Sequence, residues 1–346
     1  MKLNANVNFS LLDNLYKIGS PSRSEDKISK YVQKKLIALQ IPFEVDEFHQ
    51  IYRIIPDTPL LSAHLDQVQK KAPTDLIRIR GCIYGWRKHQ QVGLGADDKN
   101  GVWIMLNLIE LFRDKVSFIF STQEEAGGKI DKIALSSHPY ALVFDRKGSS
   151  DIIGSNNDYC SDDLEEEILK ISGRFKYKAA SGLFSDADDI SDSIPCVNIS
   201  VGYYNPHTES EYTNERELLN ALNFSVALLN ELPILDYKVP VKVRGWKGYG
   251  YGNWQDYKYL DNGYSDKSFQ EGYYGDTFNK DEDVYDYFES DDYLDDRDRR
   301  ERDKNFKKTP DIIMTTKPCY FCGANNAYLV EGIPICLNCY NESFIE

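Results

Sequence analysis

Long apolar runs are missing from this chain. None reaches the roughly 18–20 residues that a bilayer-spanning helix requires, so no membrane span is expected. The opening stretch MKLNANVNFSLLDNLYKIGS has no long apolar segment and no small-residue cleavage site, which argues against a secretory signal. An excess of basic charge is missing too. Lys and Arg number 41 against 55 Asp and Glu, a formal net charge of −14. Nucleic acid and anionic membrane surfaces are polyanions, so neither is an expected partner. Disulfides are not expected either. The seven cysteines are an odd number; Cys82, Cys160 and Cys196 are scattered, while Cys319, Cys322, Cys336 and Cys339 form two close pairs. That pattern reads as reduced thiols in a cytoplasm, four of them spaced for metal. Histidine is scarce, with five in 346 residues, so each one needs a place in the argument.

What is present suits a folded domain with something added: 41% of residues are apolar and 13% aromatic. Residues 1–235 alternate between helical and strand patterns. SEDKISKYVQKKLIAL (24–39) puts Ile28, Val32, Leu36 and Leu39 at helical spacing, with Ser24 as the candidate N-cap. IPFEVDEFHQI reads as a strand. PLLSAHLD (59–66), VSFIFST (116–122), ALVFD (141–145) and IPCVNISVGYY (194–204) read as short buried strands. GVWIMLNLIELF (101–112) and ERELLNALNFSVALLNEL (215–232) read as helices. Alternating strands and helices indicate an α/β fold, a mixed and mostly parallel sheet with helices on both faces.

Near residue 240 the composition changes. The stretch to about 310 is rich in Gly, Tyr and Asp and nearly free of aliphatic residues. Residues 281–296 hold nine acidic residues and no basic one, and 297–308 then turn basic. So little apolar surface cannot offset chain entropy. The segment reads as a disordered or loosely ordered linker, with docking of its tyrosines as the alternative. After it, Cys319-x₂-Cys322 and Cys336-x₂-Cys339 enclose thirteen residues, the spacing of a structural zinc ribbon with four thiolates on one Zn²⁺. AYLVEGIPI suits the hairpin between the pairs. The expected domains are 1–238, a linker at 239–310 and a ribbon at 311–346.

The first domain ends several strands in polar residues. LSAHLDQV raises the question most sharply, because an apolar strand there runs into His64 and Asp66. Asp97 and Asp98 sit in GLGADDKNG, a Gly-rich turn before a helix. Glu124 and Glu125 follow VSFIFST, Asp145 ends ALVFD, and His207 follows VNISVGYYNP. Each residue alone reads as a cap, a turn or a solvated helix start. Five such places at strand exits are more economically one site, since open α/β sheets gather ligands at the carboxyl ends of their strands. Imidazole and carboxylate suit Zn²⁺ and similar divalent ions. Two ions about 3.5–4 Å apart can share a bridging carboxylate and a water. Glu124 and Glu125 can then provide one ligand and one base. Asp66 is placed to hydrogen-bond the far nitrogen of His64.

These pieces, SAHLD, GLGADDKNG, STQEEAGG, LVFD and NPHTESEY in that order, resemble the co-catalytic zinc peptidases of clan MH. That group includes peptidase T, glutamate carboxypeptidase, diaminopimelate desuccinylase and related aminopeptidases. IGSPSRSEDKISKYVQKKL and SGLFSDADDISDSIPCVNISVG are weaker matches, and together they span most of residues 10–232. The resemblance implies that Asp97 bridges two metals, Zn²⁺ or another divalent ion such as Co²⁺ or Mn²⁺. His64 and Asp145 would complete one site, and Glu125 and His207 the other. Glu124 would be general base and then general acid, Asp66 would orient His64, and Asp98 would be a neighbour rather than a ligand. Many relatives of the peptidase T branch insert a lid domain between the equivalents of Asp145 and His207. Here those positions lie 62 apart, so a core without a lid is expected.

The implied reaction is hydrolysis of a peptide or related amide bond. Aminopeptidase or dipeptidase action comes first, and N-acyl amino-acid deacylation or carboxypeptidase action second, for which Arg146, Lys147 and Arg174 are the cations to consider. A non-catalytic peptidase-like protein working through its ribbon, with a protein partner there, is the reading from a different class. A complete set of ligands and base weighs against it.

Overall fold

The computed structural model describes residues 9–128, 130, 138–182 and 185–240, and the backbone alone of strands at 313–315, 327–330 and 333–336. Two units are compact by themselves, Met1–Gly252 and Asn253–Glu346.

The first unit opens with helices α1 (Ser10–Tyr16) and α2 (Asp26–Ala38). α2 buries Ile28, Val32 and Leu36, the stripe that its spacing predicts. Ser24 is not its cap. The Ser24 amide closes a turn onto the Pro21 carbonyl, so the helix begins after Glu25. The single strand expected over IPFEVDEFHQI is two, β1 (Glu44–Val45) and β2 (Ile51–Arg53), paired antiparallel. The Asp46 carboxylate folds the link between them by accepting the Phe48 and Gln50 amides. β3 (Leu60–His64) follows.

Next comes a meander absent from the sequence reading: β4 (Asp75–Ile79), β5 (Cys82–Arg87) and β6 (Gln90–Val92). Its two-residue turns, Arg80-Gly81 and Lys88-His89, have positive φ at both positions, as type I′ hairpins require. α3 (Ala96–Phe112) starts five residues earlier than its apolar run. β7 (Ser117–Ser121), β8 (Ala141–Arg146), β9 (Asp151–Ile153), α4 (Asp162–Ser172), β10 (Lys178–Ala180), α5 (Asp186–Ile190) and β11 (Cys196–Ser200) complete the main layer. β12 (Tyr203–Tyr204), β13 (Tyr212–Asn214) and α6 (Glu215–Glu231) end the unit. Among the described residues, nothing between Asp145 and His207 forms a separate lid.

The main sheet runs β1-β2-β7-β3-β8-β11-β9-β10. Its centre, β7, β3, β8 and β11, is parallel throughout, and antiparallel pairs flank it. Every residue of β3, β7 and β11 is buried, as a sheet covered on both faces demands. Alternation along the strands sorts the side chains. Leu61, Ala63, Phe118, Phe120, Leu142 and Val197 join one core with Trp103 of α3 and Leu222 of α6. Leu60, Ile119, Ala141, Val143 and Cys196 join a second with Ala187 and Ile190 of α5. Each of the Leu, Ile, Val and Phe side chains contributes about 1.5–3 kcal/mol on full burial. A second sheet, β12-β13-β5-β4 with β6 on β5, brings the meander to the chain that follows His207.

In the second unit, β14 (Ile313–Thr315), β15 (Ala327–Val330) and β16 (Ile333–Cys336) form an antiparallel sheet. β15 and β16 are the hairpin expected from AYLVEGIPI. Cys319, Cys322 and Cys339 lie outside the described residues, as does nearly all of the expected linker at 239–310. Of Cys336 only the backbone is described.

Candidate metal centre

Parallel order puts the carboxyl ends of β3, β7, β8 and β11 at one edge of the sheet. His64 is the last residue of β3 and pairs in register with Ser121 at the end of β7. Three residues beyond Ser121, a one-turn 3₁₀ helix carries Glu124 and Glu125. Asp145 is the next-to-last residue of β8. Asp97 lies in the first turn of α3 with non-helical backbone angles, and the peptide bond from Asp97 to Asp98 is cis.

The two oxygens of Asp97 face two different histidines. Oδ1 lies 3.2 Å from His64 Nε2, and Oδ2 lies 3.3 Å from His207 Nε2. Around His64 Nε2 are also Asp145 Oδ1 at 3.5 Å and Glu124 Oε2 at 3.9 Å. His207 Nε2 lies 2.9 Å from Glu125 Oε1. Three triads of potential ligand atoms, Asp97–Glu125–His207, His64–Asp98–Asp145 and His64–Glu124–Glu125, each lie within 4.8 Å of one another.

Neighbouring groups hold these side chains in place. His64 Nδ1 lies 3.1 Å from the Asp66 backbone carbonyl and 3.4 Å from the Asp66 carboxylate. The carbonyl is therefore the nearer acceptor, where the sequence suggests the side chain. The Asp66 carboxylate accepts the Glu124 and Glu125 amides and the Ser22 hydroxyl at 3.0, 3.1 and 2.6 Å. Asp66 thus ties β3 to the Glu124–Glu125 turn. Asn198 brackets Asp145, accepting its amide and donating to its carbonyl. Tyr203 donates its hydroxyl to Asp145 Oδ1. Asp98 accepts the Gly101 amide on one oxygen and the His64 amide on the other. It braces β3 against α3 from within the cluster.

The electrostatics are those of a site short of positive charge. Burial pushes the Glu124 carboxyl up to about 10, and the charges of Asp145, Asp186 and Glu125 add to the rise. Burial and the neighbouring Asp97 raise Asp145 to about 8. Burial would lower His207, but hydrogen bonds to Asp97 and Glu125 carry it up to about 11. Burial opposes ionisation of Asp97 also, yet the two histidines hold its carboxyl well below the usual range. These carboxylates, buried or half-buried, crowd around two imidazoles. The donor set fits divalent cations, which relieve the crowding directly.

No protein-family model matches the sequence, and no curated protein matches it. Solved structures do. The aminopeptidase PepT of Bacillus cereus aligns with a TM-score of 0.53 at 17% identity, covering 65% of this chain and 98% of that one. An aminopeptidase of the archaeon Desulfurococcus kamchatkensis gives 0.53 and 17%, over 64% and 94%. A tripeptidase of Staphylococcus aureus gives 0.51 and 16%, over 65% and 98%. The chain shares their fold.

The structure thus gathers His64, Asp66, Asp97, Glu124, Glu125, Asp145 and His207 in one cluster. It adds residues that the sequence reading did not single out. Glu211, fully buried, accepts the Asp97 and Gly95 amides. Asp186, also buried, accepts the Ser121 hydroxyl at 2.5 Å. Lys99 is fully buried and donates to Gln67 Oε1. All three stand in or beside the quoted motifs, but nothing in a lone acid or lysine marks it as buried.

Proposed function

We propose that residues 1–238 form a two-metal hydrolase of peptide bonds, acting as an aminopeptidase or dipeptidase. The observation that carries this reading is Asp97, whose two oxygens face His64 on one side and His207 on the other. His64 and Asp145 would hold one divalent ion with Asp97, and Glu125 and His207 the second. Zn²⁺, Co²⁺ or Mn²⁺ suits these donors. Such ions supply Lewis-acid polarisation of a scissile carbonyl and a lowered pKa for water.

The chain's own groups do the rest. A proton on His64 Nδ1, donated to the Asp66 carbonyl, leaves Nε2 with its lone pair facing the cluster. Asp66 presents Glu124 by fixing its amide. Glu124 is raised chiefly by burial and by surrounding negative charge. With ions held beside it, Glu124 would be freed of the second cause and stand as a carboxylate able to take a proton from water. Glu124 then returns that proton to the leaving amine. The similar structures named as aminopeptidases and a tripeptidase support peptide substrates.

Of the three cations considered for a substrate carboxylate, the two arginines have other partners. Arg146 pairs with Asp151 at 3.0 Å and Arg174 with Glu231 at 2.6 Å. This favours the aminopeptidase reading over the deacylase. From their spacing alone, we assign Cys319, Cys322, Cys336 and Cys339 to one structural Zn²⁺ in a ribbon that offers a surface to a protein partner, and the reduced thiols to a cytoplasmic chain. Among the described residues, no helix is long and apolar enough to cross a membrane.

Glu124→Gln tests the reading. Hydrolysis of unblocked di- and tripeptides should fall about 100- to 10,000-fold, with metal content and melting temperature as in the wild type. Undiminished turnover would overturn it.

A further inference from the structure

We infer that Glu211 is a positioning residue that locks the His207 loop to the Asp97 turn and so sets the second metal position. The inference rests on the two-metal reading. Its grounds are a closed ring of contacts. Glu211 Oε1 accepts the Asp97 amide at 3.1 Å, and Oε2 accepts the Gly95 amide at 2.7 Å and Gln69 Nε2 at 3.1 Å. Four residues before Glu211, His207 faces the Asp97 side chain at 3.3 Å. One short loop therefore grips Asp97 twice, at its backbone through Glu211 and at its carboxylate through His207.

That loop is braced internally. Thr208 donates its hydroxyl to the Asn205 carbonyl at 2.8 Å, Asn205 donates to the Ser210 carbonyl at 3.3 Å, and the Thr208 and Ser210 hydroxyls lie 3.0 Å apart. A shift at Glu211 is thus carried to His207. The chain just after β6 is fitted to the loop as well. A side chain at Gly93 would meet the Thr208 carbonyl and Gln69 Nε2, each at 2.7 Å. Glu211 is fully buried. A buried carboxylate that accepts two backbone amides from one turn serves that turn, and a surface role is closed to it.

The His64–Asp145 half is anchored separately. The Asp66 carbonyl holds His64, and Asn198 and Tyr203 hold Asp145. Loosening Glu211 should therefore weaken the ion on Glu125 and His207 more than the other, which shares only Asp97 with it. A residue that only stabilised the fold would affect both alike.

Glu211→Gln preserves shape but leaves one acceptor oxygen where two are needed. Calorimetric titration of the full-length apoprotein with Co²⁺ alone reads the core ions individually, and ribbon binding serves as an internal control. In the wild type two core ions are expected. In Glu211→Gln, one should bind about 10- to 100-fold more weakly relative to the other, with an apoprotein melting temperature close to the wild type. Gln69→Met removes only the third donor to the same carboxylate and should weaken the same ion by a smaller factor. An unchanged ratio of the two affinities, whether both persist or both fall together, overturns the role of Glu211 and leaves the two-metal reading intact. Fewer than two core ions in the wild type would defeat that reading, and this inference with it.

Discussion

Removing the metals should make the stability of the first unit fall as pH rises from 5 to 8. Asp145 is raised to about 8 and Glu124 to about 10, in each case chiefly by burial. Within that window the fold keeps protons on these carboxyls that the unfolded chain has already lost. Their contribution is fully present below about pH 4, the unfolded value, and is lost as pH climbs through the folded value. His207, raised to about 11, acts in the same sense above its unfolded value of about 6.5. Asp97 and Asp66 are held low by their histidine neighbours. Their contribution is lost only under more acid conditions and leaves this window alone. Each excess proton in the fold tilts stability by about 1.4 kcal/mol per pH unit. Even one amounts to roughly 4 kcal/mol across three units, a large share of the 5–15 kcal/mol typical of a domain. Denaturant titrations in chelator at pH 5, 6, 7 and 8, repeated with saturating Zn²⁺, measure it. Metal takes the place of the protons, so the slope should flatten or reverse. Apoprotein stability that holds or rises with pH, or a slope that metal leaves alone, would show that burial does not hold these protons.

Two further outcomes follow from particular contacts. A methyl at Gly101 would lie 2.4 Å from Asp98 Oδ2 and 2.4 Å from the Phe144 carbonyl. Gly101→Ala should therefore cost about 1–3 kcal/mol in denaturant unfolding and reduce bound metal by displacing the start of α3 from β8. A chain ending at residue 238 should bind two divalent ions by elemental analysis where the full chain binds three, with the difference belonging to the ribbon cysteines.

The centre of the sheet was legible because buried parallel strands leave short apolar runs, and SFIFS and ALVF leave little choice. The cluster residues were legible for a related reason. A polar residue at the end of such a run has few bland explanations once five of them occur in order. The meander at 75–92 was not, because its turns use Arg80-Gly81 and Lys88-His89 rather than the Asn-Gly or Asp-Gly pairs that announce type I′ geometry. Helix α4 carries Leu164, Ile168 and Ile171 at helical spacing, but within a run of acids that reads as solvated. The start of α3 is hidden for another reason. Its first turn is polar, yet Asp98, Lys99 and Asn100 are all fully buried. Glu211 illustrates the general limit. A carboxylate that serves two distant amides looks, in sequence, like any surface acid.

The cluster is also assembled from far-apart stretches of chain. Glu125 and His207 are 82 residues apart, and Asp97 and Glu211 are 114 apart. A nascent chain with its strands through β8 already made still lacks His207 and the acid that holds Asp97. On the two-metal reading, such a chain has neither its second ion nor the power to cut peptides. On that reading, the order of synthesis itself withholds the activity until the body of the domain can close around the cluster.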